Sequence, residues 1–209
     1  MINVSCLKSI YDKEKTVKLL NEIDKVDMIH LDLMDGLYAG ENNIDLDELY
    51  KVFQENKKPL DVHLMVNNPE NIIDDIFKLN PDTIIFHPDA SSDSIALINK
   101  IKTTGYKCGI AFDTPVSIID YKDLFDQVDI VLLMSVKAGY GGQEFLNETY
   151  EKLDLINKYK KEFEFKTEVD GGIDDIIYHE LKKYDVDYFV IGSYICMNEN
   201  YQRPLSKLD

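Results

Sequence analysis

Apolar residues gather in eight short runs of β-forming character: 2–7 (INVSCL), 28–34 (MIHLDLM), 60–65 (LDVHLM), 83–88 (TIIFHP), 107–112 (KCGIAF), 129–136 (DIVLLMSV), 165–172 (FKTEVDGG) and 188–193 (YFVIGS). Between them lie stretches rich in Lys, Glu, Asp and Leu, such as KEKTVKLLNEIDKV and NETYEKLDLINKYKKEF, whose apolar residues recur at the three-to-four spacing of an amphipathic helix. Strand and helix therefore alternate along the chain, and alternation predicts a parallel sheet with helical crossovers. Eight such units in ~200 residues suit a (β/α)8 barrel, with a doubly wound sheet as the alternative arrangement. Neither a linker nor a shift in composition divides the chain, so residues 1–209 are expected to form one barrel domain, with no internal repeat beyond the unit itself.

Residues two apart in a strand share a face. His30, Asp32 and Met34 therefore point one way and Ile29, Leu31 and Leu33 the other. The third run repeats the arrangement, with Asp61, His63 and Met65 opposite Leu60, Val62 and Leu64. In the seventh, Glu168 and Asp170 oppose Val169, and Gly171-Gly172 follow. The strand ends of a parallel barrel converge on one mouth, where two His and two Asp would meet. Two readings stay open on this pattern. Each His is an ordinary hydrogen-bonded core residue and each Asp a turn former, or the four hold a divalent cation that compensates the buried carboxylates. Two imidazoles with carboxylates suit Zn²⁺, Fe²⁺, Mn²⁺ or Co²⁺ alike.

A second constellation is glycine-rich: KAGYGGQEF (137–145), VDGGIDD (169–175) and VIGSY (190–194) follow the last three strands. Such glycines are turn formers, or they let backbone N–H groups approach an anion, and the last strands are the usual phosphate position of this barrel. Charge bears on the choice. With 39 acidic and 23 basic residues the net charge is −16, which argues against nucleic acid or an anionic membrane as partner. An anionic metabolite would need a local positive site, which backbone dipoles and a cation can supply. Cys6, Cys108 and Cys196 are odd in number and far apart, as expected of structural, reduced thiols. No apolar run approaches the ~18 residues that span a bilayer, and the first residues lack a basic region followed by an apolar one. A soluble, cytoplasmic protein is expected.

Taken in order, VSCL, HLDLMDG, DVHLM with NNPE, MSVKAGYGGQEF, EVDGG and IGS resemble the ribulose-phosphate 3-epimerase family over most of the chain. The resemblance implies a ribulose-phosphate-binding (β/α)8 barrel with one divalent metal ion, zinc first and Fe, Mn or Co as alternatives. The implied ligands are His30, Asp32, His63 and Asp170. Asp32 and Asp170 would be the acid/base pair, with Ser5 and His63 at the substrate. Met34, Met65 and Met134 would line the site as a polarizable wall. Gly141, Gly142, Gly171, Gly172, Gly192 and Ser193 would bind the phosphate end, with Gly139 also at the substrate. The implied reaction interconverts D-ribulose 5-phosphate and D-xylulose 5-phosphate in the pentose phosphate pathway, on a homo-oligomer. Inverting a carbinol carbon beside a ketone needs one group to take a proton from one face and another to return one on the opposite face. The charge that develops on the flanking oxygens needs a Lewis acid.

Three alternatives stand beside this. One keeps the chemistry and changes the sugar, for example to D-allulose 6-phosphate, and another is a sugar-phosphate-binding barrel without catalysis. The third, a decarboxylase or aldolase-like lyase, is disfavoured: the decarboxylases of this barrel carry Asp-x-Lys-x-x-Asp at the second strand, and DLMD here has no lysine. The chain also departs from the family pattern. LYAGENNID follows HLDLMDG where an aromatic-Val-Pro-Asn stretch is usual, AFDTPVS (111–117) is shortened, Lys137-Ala138 replace Asn-Pro, and Tyr194 stands at a normally small position. These changes alter the walls of the site and leave the four ligand positions intact. Lys137 is expected to be solvated on the lid, and His87 in FHPDA to hydrogen-bond at the rim as no fifth ligand.

Overall fold

An extended segment cannot satisfy its own backbone, so each apolar run must pair with another. The computed structural model describes residues 1–5, 12–54 and 56–208. In it β1 (Ile2–Ser5), β2 (Met28–Met34), β3 (Leu60–Met65), β4 (Thr83–Phe86), β5 (Lys107–Phe112), β6 (Ile130–Met134), β7 (Lys166–Asp170) and β8 (Tyr188–Val190) pair in sequence order. All pairs are parallel, and β8 returns to β1, closing the barrel. Strands end earlier than the apolar runs for local reasons. Pro88 opens a 3₁₀ turn after β4, and Gly171 and Gly172 take φ of +119° and +64°, which stops β7 at Asp170. Positions 6 and 7 of the first run, and with them Cys6, lie outside the described residues.

Helices α1 (Lys13–Glu22), α2 (Leu46–Phe53), α3 (Ile73–Ile76), α4 (Ser94–Thr103), α5 (Thr149–Tyr159), α6 (Asp175–Leu181), α7 (Ser193–Cys196) and α8 (Gln202–Leu205) pack outside the strands. Asp12, Asp45, Asp93 and Asp174 cap four of them, each carboxylate accepting from a first-turn N–H where the helix dipole favours negative charge. The crossover from β5 to β6 is a 3₁₀ run, Ile119–Gln127, rather than an α-helix. No helix among the described residues is long and apolar enough to cross a membrane.

The two faces of each strand serve different cores. Ile29, Leu31, Leu33, Val62, Leu64, Phe86, Ile110 and Leu133 face the helices. Inside the barrel a smaller cluster containing Met28, Ile85, Ala111, Ile130, Leu132 and Tyr188 plugs the lower half, with Met34, Met65 and Met134 towards the strand C-termini. Cys108 and Cys196 are buried free thiols whose ionisation burial pushes up to about 12, in keeping with packing roles.

The lower rim carries a repeat. Asp27, Asp82, Asp129 and Asp187 each stand immediately before an even-numbered strand. Their carboxylates accept from the N–H groups of Ile2, Leu60, Cys108 and Thr167 at 2.7, 3.1, 2.9 and 2.9 Å. Each aspartate N–H also donates to the carbonyl of that same residue, at 2.8 to 2.9 Å. Every odd-numbered strand is thus tied at its start to the next even one by a reciprocal pair of bonds. The tie recurs four times around the lower rim, once for every two strand–helix units. One aspartate per two units leaves too little sequence similarity to read. Replacing Asp82 by Ala orphans the Leu60 N–H and is expected to cost about 1 to 2 kcal/mol, with Asp82→Asn costing less. Urea unfolding of the two variants measures this, and an unchanged midpoint for both would show that the tie contributes nothing.

Candidate active site

In β2 the order is His-Leu-Asp and in β3 it is Asp-Val-His. Parallel pairing in the register His30↔Asp61 and Asp32↔His63 sets a histidine against an aspartate at both levels. β1 and β7 add a residue to each level. The upper holds Ser5, Asp32, His63 and Asp170, and the lower holds Asn3, His30, Asp61 and Glu168. None of the eight is more than 9 % exposed.

His30 joins the levels. Its Nδ1 lies 2.8 Å from Asp61 Oδ2 and 3.5 Å from Glu168 Oε1, while its Nε2 lies 3.3 Å from Asp32 Oδ1 and 4.0 Å from Asp170 Oδ2. His63 Nδ1 is 3.1 Å from Asp32 Oδ1 and 4.0 Å from Asp170 Oδ2. Ser5 Oγ donates to the other Asp32 oxygen at 2.7 Å. Below, the Asn3 amide donates to Glu168 Oε1 at 3.0 Å and reaches Asp61 Oδ2 at 3.5 Å.

One donor atom from each of His30, Asp32, His63 and Asp170 lies within 4.8 Å of the others, so these four residues could hold a metal ion. Their fit to a cation can be tested. Ligands at ~2.0 to 2.1 Å from a tetrahedral ion stand about 3.3 Å apart, and the His-to-carboxylate edges here run from 3.1 to 4.0 Å. His30 Nε2, buried and aimed at this centre, has no hydrogen-bond partner. The donor set fits.

The two upper carboxylates are driven apart. Burial pushes Asp32 up, but His30 and His63 outweigh it and hold its carboxyl well below the usual range. Asp170 is pushed well up, by burial first and then by the charge of Asp32. Burial opposes protonation of His30, yet Asp32 and Asp61 raise it. Burial and His63 push His87 well down. Below, burial and Asp61 push Glu168 up to about 7.

Above the carboxylates a cavity opens, lined by Ser5, Asp32, Met65, Met134 and Asp170 at its floor and by Gly139, Gly141, Gly142, Gly171, Gly172, Gly192 and Ser193 on its walls. Three expected residues stand outside the lining. His30 and His63 are buried behind Asp32, and Met34 lies under Gly40, where a Cβ added to that glycine would come within 2.3 Å of Met34 Sδ. The cavity glycines also have packing duties. A Cβ on Gly139 would lie 2.5 Å from Gly40 N, and one on Gly172 2.5 Å from Phe145 N, so the lid of residues 137–143 is seated directly on the loops after β2 and β7.

Lys137 is exposed, as expected, and also lines the cavity, the one cationic side chain among the described residues that does. His87 is fully buried rather than at the rim, with its Nε2 2.9 Å from His63 Nε2. Sequence reasoning saw Asp61 and Glu168 on the inward face without assigning them a part, and missed Asn3 and Asn43. Asn43 clamps the end of β2: its amide donates to Asp32 O at 2.9 Å and its side-chain oxygen accepts from Met34 N at 2.7 Å. An isolated asparagine in a loop gives no signal for such a contact.

A profile of the ribulose-phosphate 3 epimerase family matches residues 2–196. The chain belongs to that family. It is 34 % identical over 189 residues to the ribulose-phosphate 3-epimerase of Escherichia coli strain K12, covering 87 % of this chain and 82 % of that one. It is 36 % identical over 182 residues to that of Helicobacter pylori strain J99, covering 85 % and 83 %. Among solved structures, the tryptophan synthase complex from Pyrococcus furiosus superposes with a TM-score of 0.70 at 16 % identity, over 100 % of this chain and 95 % of that chain, a likeness of fold alone. As a member of the epimerase family the protein is an isomerase.

The raised Glu168 gives a pH test. Between its ordinary ~4.3 and about 7 the folded protein holds a proton that the unfolded chain has released, so stability is lost as pH rises through that window. Glu168→Gln removes the titration and keeps an oxygen for Asn3. In denaturant unfolding of metal-free protein, the stability of Glu168→Gln relative to wild type is expected to rise by about 2 kcal/mol from pH 5 to pH 8. A difference that is flat across this range would refute the assignment.

Proposed function

We propose that this family member is a metal-dependent ketose-phosphate 3-epimerase that interconverts D-ribulose 5-phosphate and D-xylulose 5-phosphate by two-base proton transfer at C3. The reading rests on one observation: two buried carboxylates, pushed in opposite directions in protonation, share the floor of a glycine-walled cavity. Environments that split a carboxylate pair in this way make one member a base and the other an acid.

Asp32 is the group held ionised. Its Oδ1 is turned to the two histidines and its Oδ2 to Ser5, which leaves Oδ2, at the cavity floor, as the atom that exchanges a proton with substrate. The Ser5 hydroxyl fixes that oxygen and can follow its change of charge. Asp170 is the group that burial and Asp32 push toward its protonated form, and it is assigned the return of a proton to the opposite face of the flat enediolate. In the reverse direction the two exchange duties. His30, Asp32, His63 and Asp170 would hold a divalent cation, which when bound would supply a Lewis acid for the negative charge developing on the oxygens at C2 and C3. Zinc suits the donor set, as do iron, manganese and cobalt.

Met65 and Met134 offer a polarizable apolar surface to the planar intermediate and exclude water from it. The phosphate end is assigned to the backbone of Gly141, Gly142, Gly171, Gly172, Gly192 and Ser193, with Gly139 holding the lid closed against Gly40. Neutral donors allow a protein of net charge −16 to accept a dianion without a basic surface.

Incubation with D-ribulose 5-phosphate in deuterium oxide is expected to give the C3 epimer carrying deuterium, followed by NMR. D-allulose 6-phosphate tests the neighbouring sugar in parallel. Asp32→Asn and Asp170→Asn are each expected to lower turnover by more than about two orders of magnitude, while still binding sugar phosphate. Near-normal turnover in either variant would sink the two-base reading. Binding without turnover by the metal-loaded wild type would instead favour a sugar-phosphate sensor.

A further inference from the structure

The two histidines meet the four-residue centre through opposite ring nitrogens, and each has an outer partner on the other nitrogen. His30 turns Nε2 inward, and its Nδ1 is 2.8 Å from Asp61 Oδ2. His63 turns Nδ1 inward, and its Nε2 is 2.9 Å from His87 Nε2. A neutral imidazole has one N–H and one lone pair, so a ring that offers its lone pair inward must carry its proton on the outer nitrogen.

We infer that Asp61 and His87 are positioning residues that assign these two tautomers, fixing His30 as an Nε2 donor and His63 as an Nδ1 donor. The inference rests on the metal reading of the centre proposed above. A carboxylate oxygen accepts from an imidazole N–H, and the 2.8 Å contact of Asp61 Oδ2 with His30 Nδ1 matches the arrangement of His30 that carries its proton on Nδ1. Asp61 is itself held: it is 1 % exposed, pairs with His30 in the β2–β3 register, and is approached by the Asn3 amide that also binds Glu168.

His87 is placed by the end of β4, next to β3, and Tyr38 lies against its ring with centroids 4.7 Å apart. Its Nε2 is therefore confined to the side facing His63. An imidazole can accept as well as donate, so His87 accepts the His63 Nε2 proton only in one of its own tautomers. The His63 arm thus depends on an imidazole acceptor, and the His30 arm on a carboxylate acceptor. Outer partners of this kind orient a ligand ring and raise its basicity, and their loss typically weakens metal binding 10- to 100-fold.

The first test needs no substitution. Long-range ¹H–¹⁵N spectra of zinc-loaded wild-type protein are expected to show His30 protonated on Nδ1 and His63 on Nε2. Both rings protonated at the same position would overturn the inference. The second titrates metal-free protein with zinc against a chromophoric chelator. Asp61→Ala and His87→Phe are expected to weaken zinc binding about 10- to 100-fold, whereas His87→Gln, whose amide oxygen can accept from His63 Nε2, stays within about three-fold of wild type. Wild-type affinity in Asp61→Ala and His87→Phe would overturn it, as would a His87→Gln loss as deep as that of the phenylalanine. Failure of wild type itself to take up zinc removes the metal reading, and the positioning role with it.

Discussion

Register between β2 and β3 governs the interior of this barrel. Because the strands run parallel with His-x-Asp beside Asp-x-His, each histidine receives a carboxylate neighbour by geometry alone. No rotamer search across the barrel is needed to bring them together. Slipping β2 by one residue against β3 would turn His30 and Asp32 into the apolar layer under the helices. There the Asp32 carboxylate would stand unpaired, at a cost of several kcal/mol. The apolar alternation on the opposite face, Ile29, Leu31 and Leu33 beside Leu60, Val62 and Leu64, therefore locks the register as firmly as the polar face exploits it.

From that pairing the rest of the site follows in layers. An apolar plug closes the lower half of the barrel, so the carboxylates above it have no access to solvent from below and must be satisfied by one another, by histidine, by Asn3 and by Ser5. Crowding of this kind splits protonation: Asp32 is held low by two imidazoles, and Asp170 is forced up by burial and by Asp32 itself. The walls are made differently. Backbone-to-backbone contact of Gly139 with Gly40, and of Gly172 with Phe145, seats three loops on one another without side chains between them. The contact leaves main-chain surface facing the cavity. On a protein of net charge −16 this is the neutral part of the site, and Lys137 is the one cation among the described residues at its lining.

Much of this was legible in the residues. Period-two alternation identified the strands, and eight alternating units identified the barrel. The recurrence of His30, Asp32, His63 and Asp170 on one face of strands that end at one mouth left a core and a metal reading open, and the family resemblance singled out these four. Other members of the site were visible without being interpretable. Asp61 and Glu168 lie on the same inward face, but a strand pattern does not say at which height a side chain sits or what stands opposite. His87 resembled a rim residue because it follows its strand, yet closure of the barrel buries it against His63. Asn43 and the four rim aspartates gave no signal, since a single polar residue before a strand or within a loop looks the same with or without a partner.

The sequence by itself determined which side chains face inward and how many strands there are, because side-chain direction along a strand is a local property. Tertiary structure alone decided which ring nitrogen each histidine turns to the centre, which carboxylate is held ionised, and which glycines are needed for close packing. Those depend on distances between residues of different strands and loops, and only closure of the barrel sets such distances.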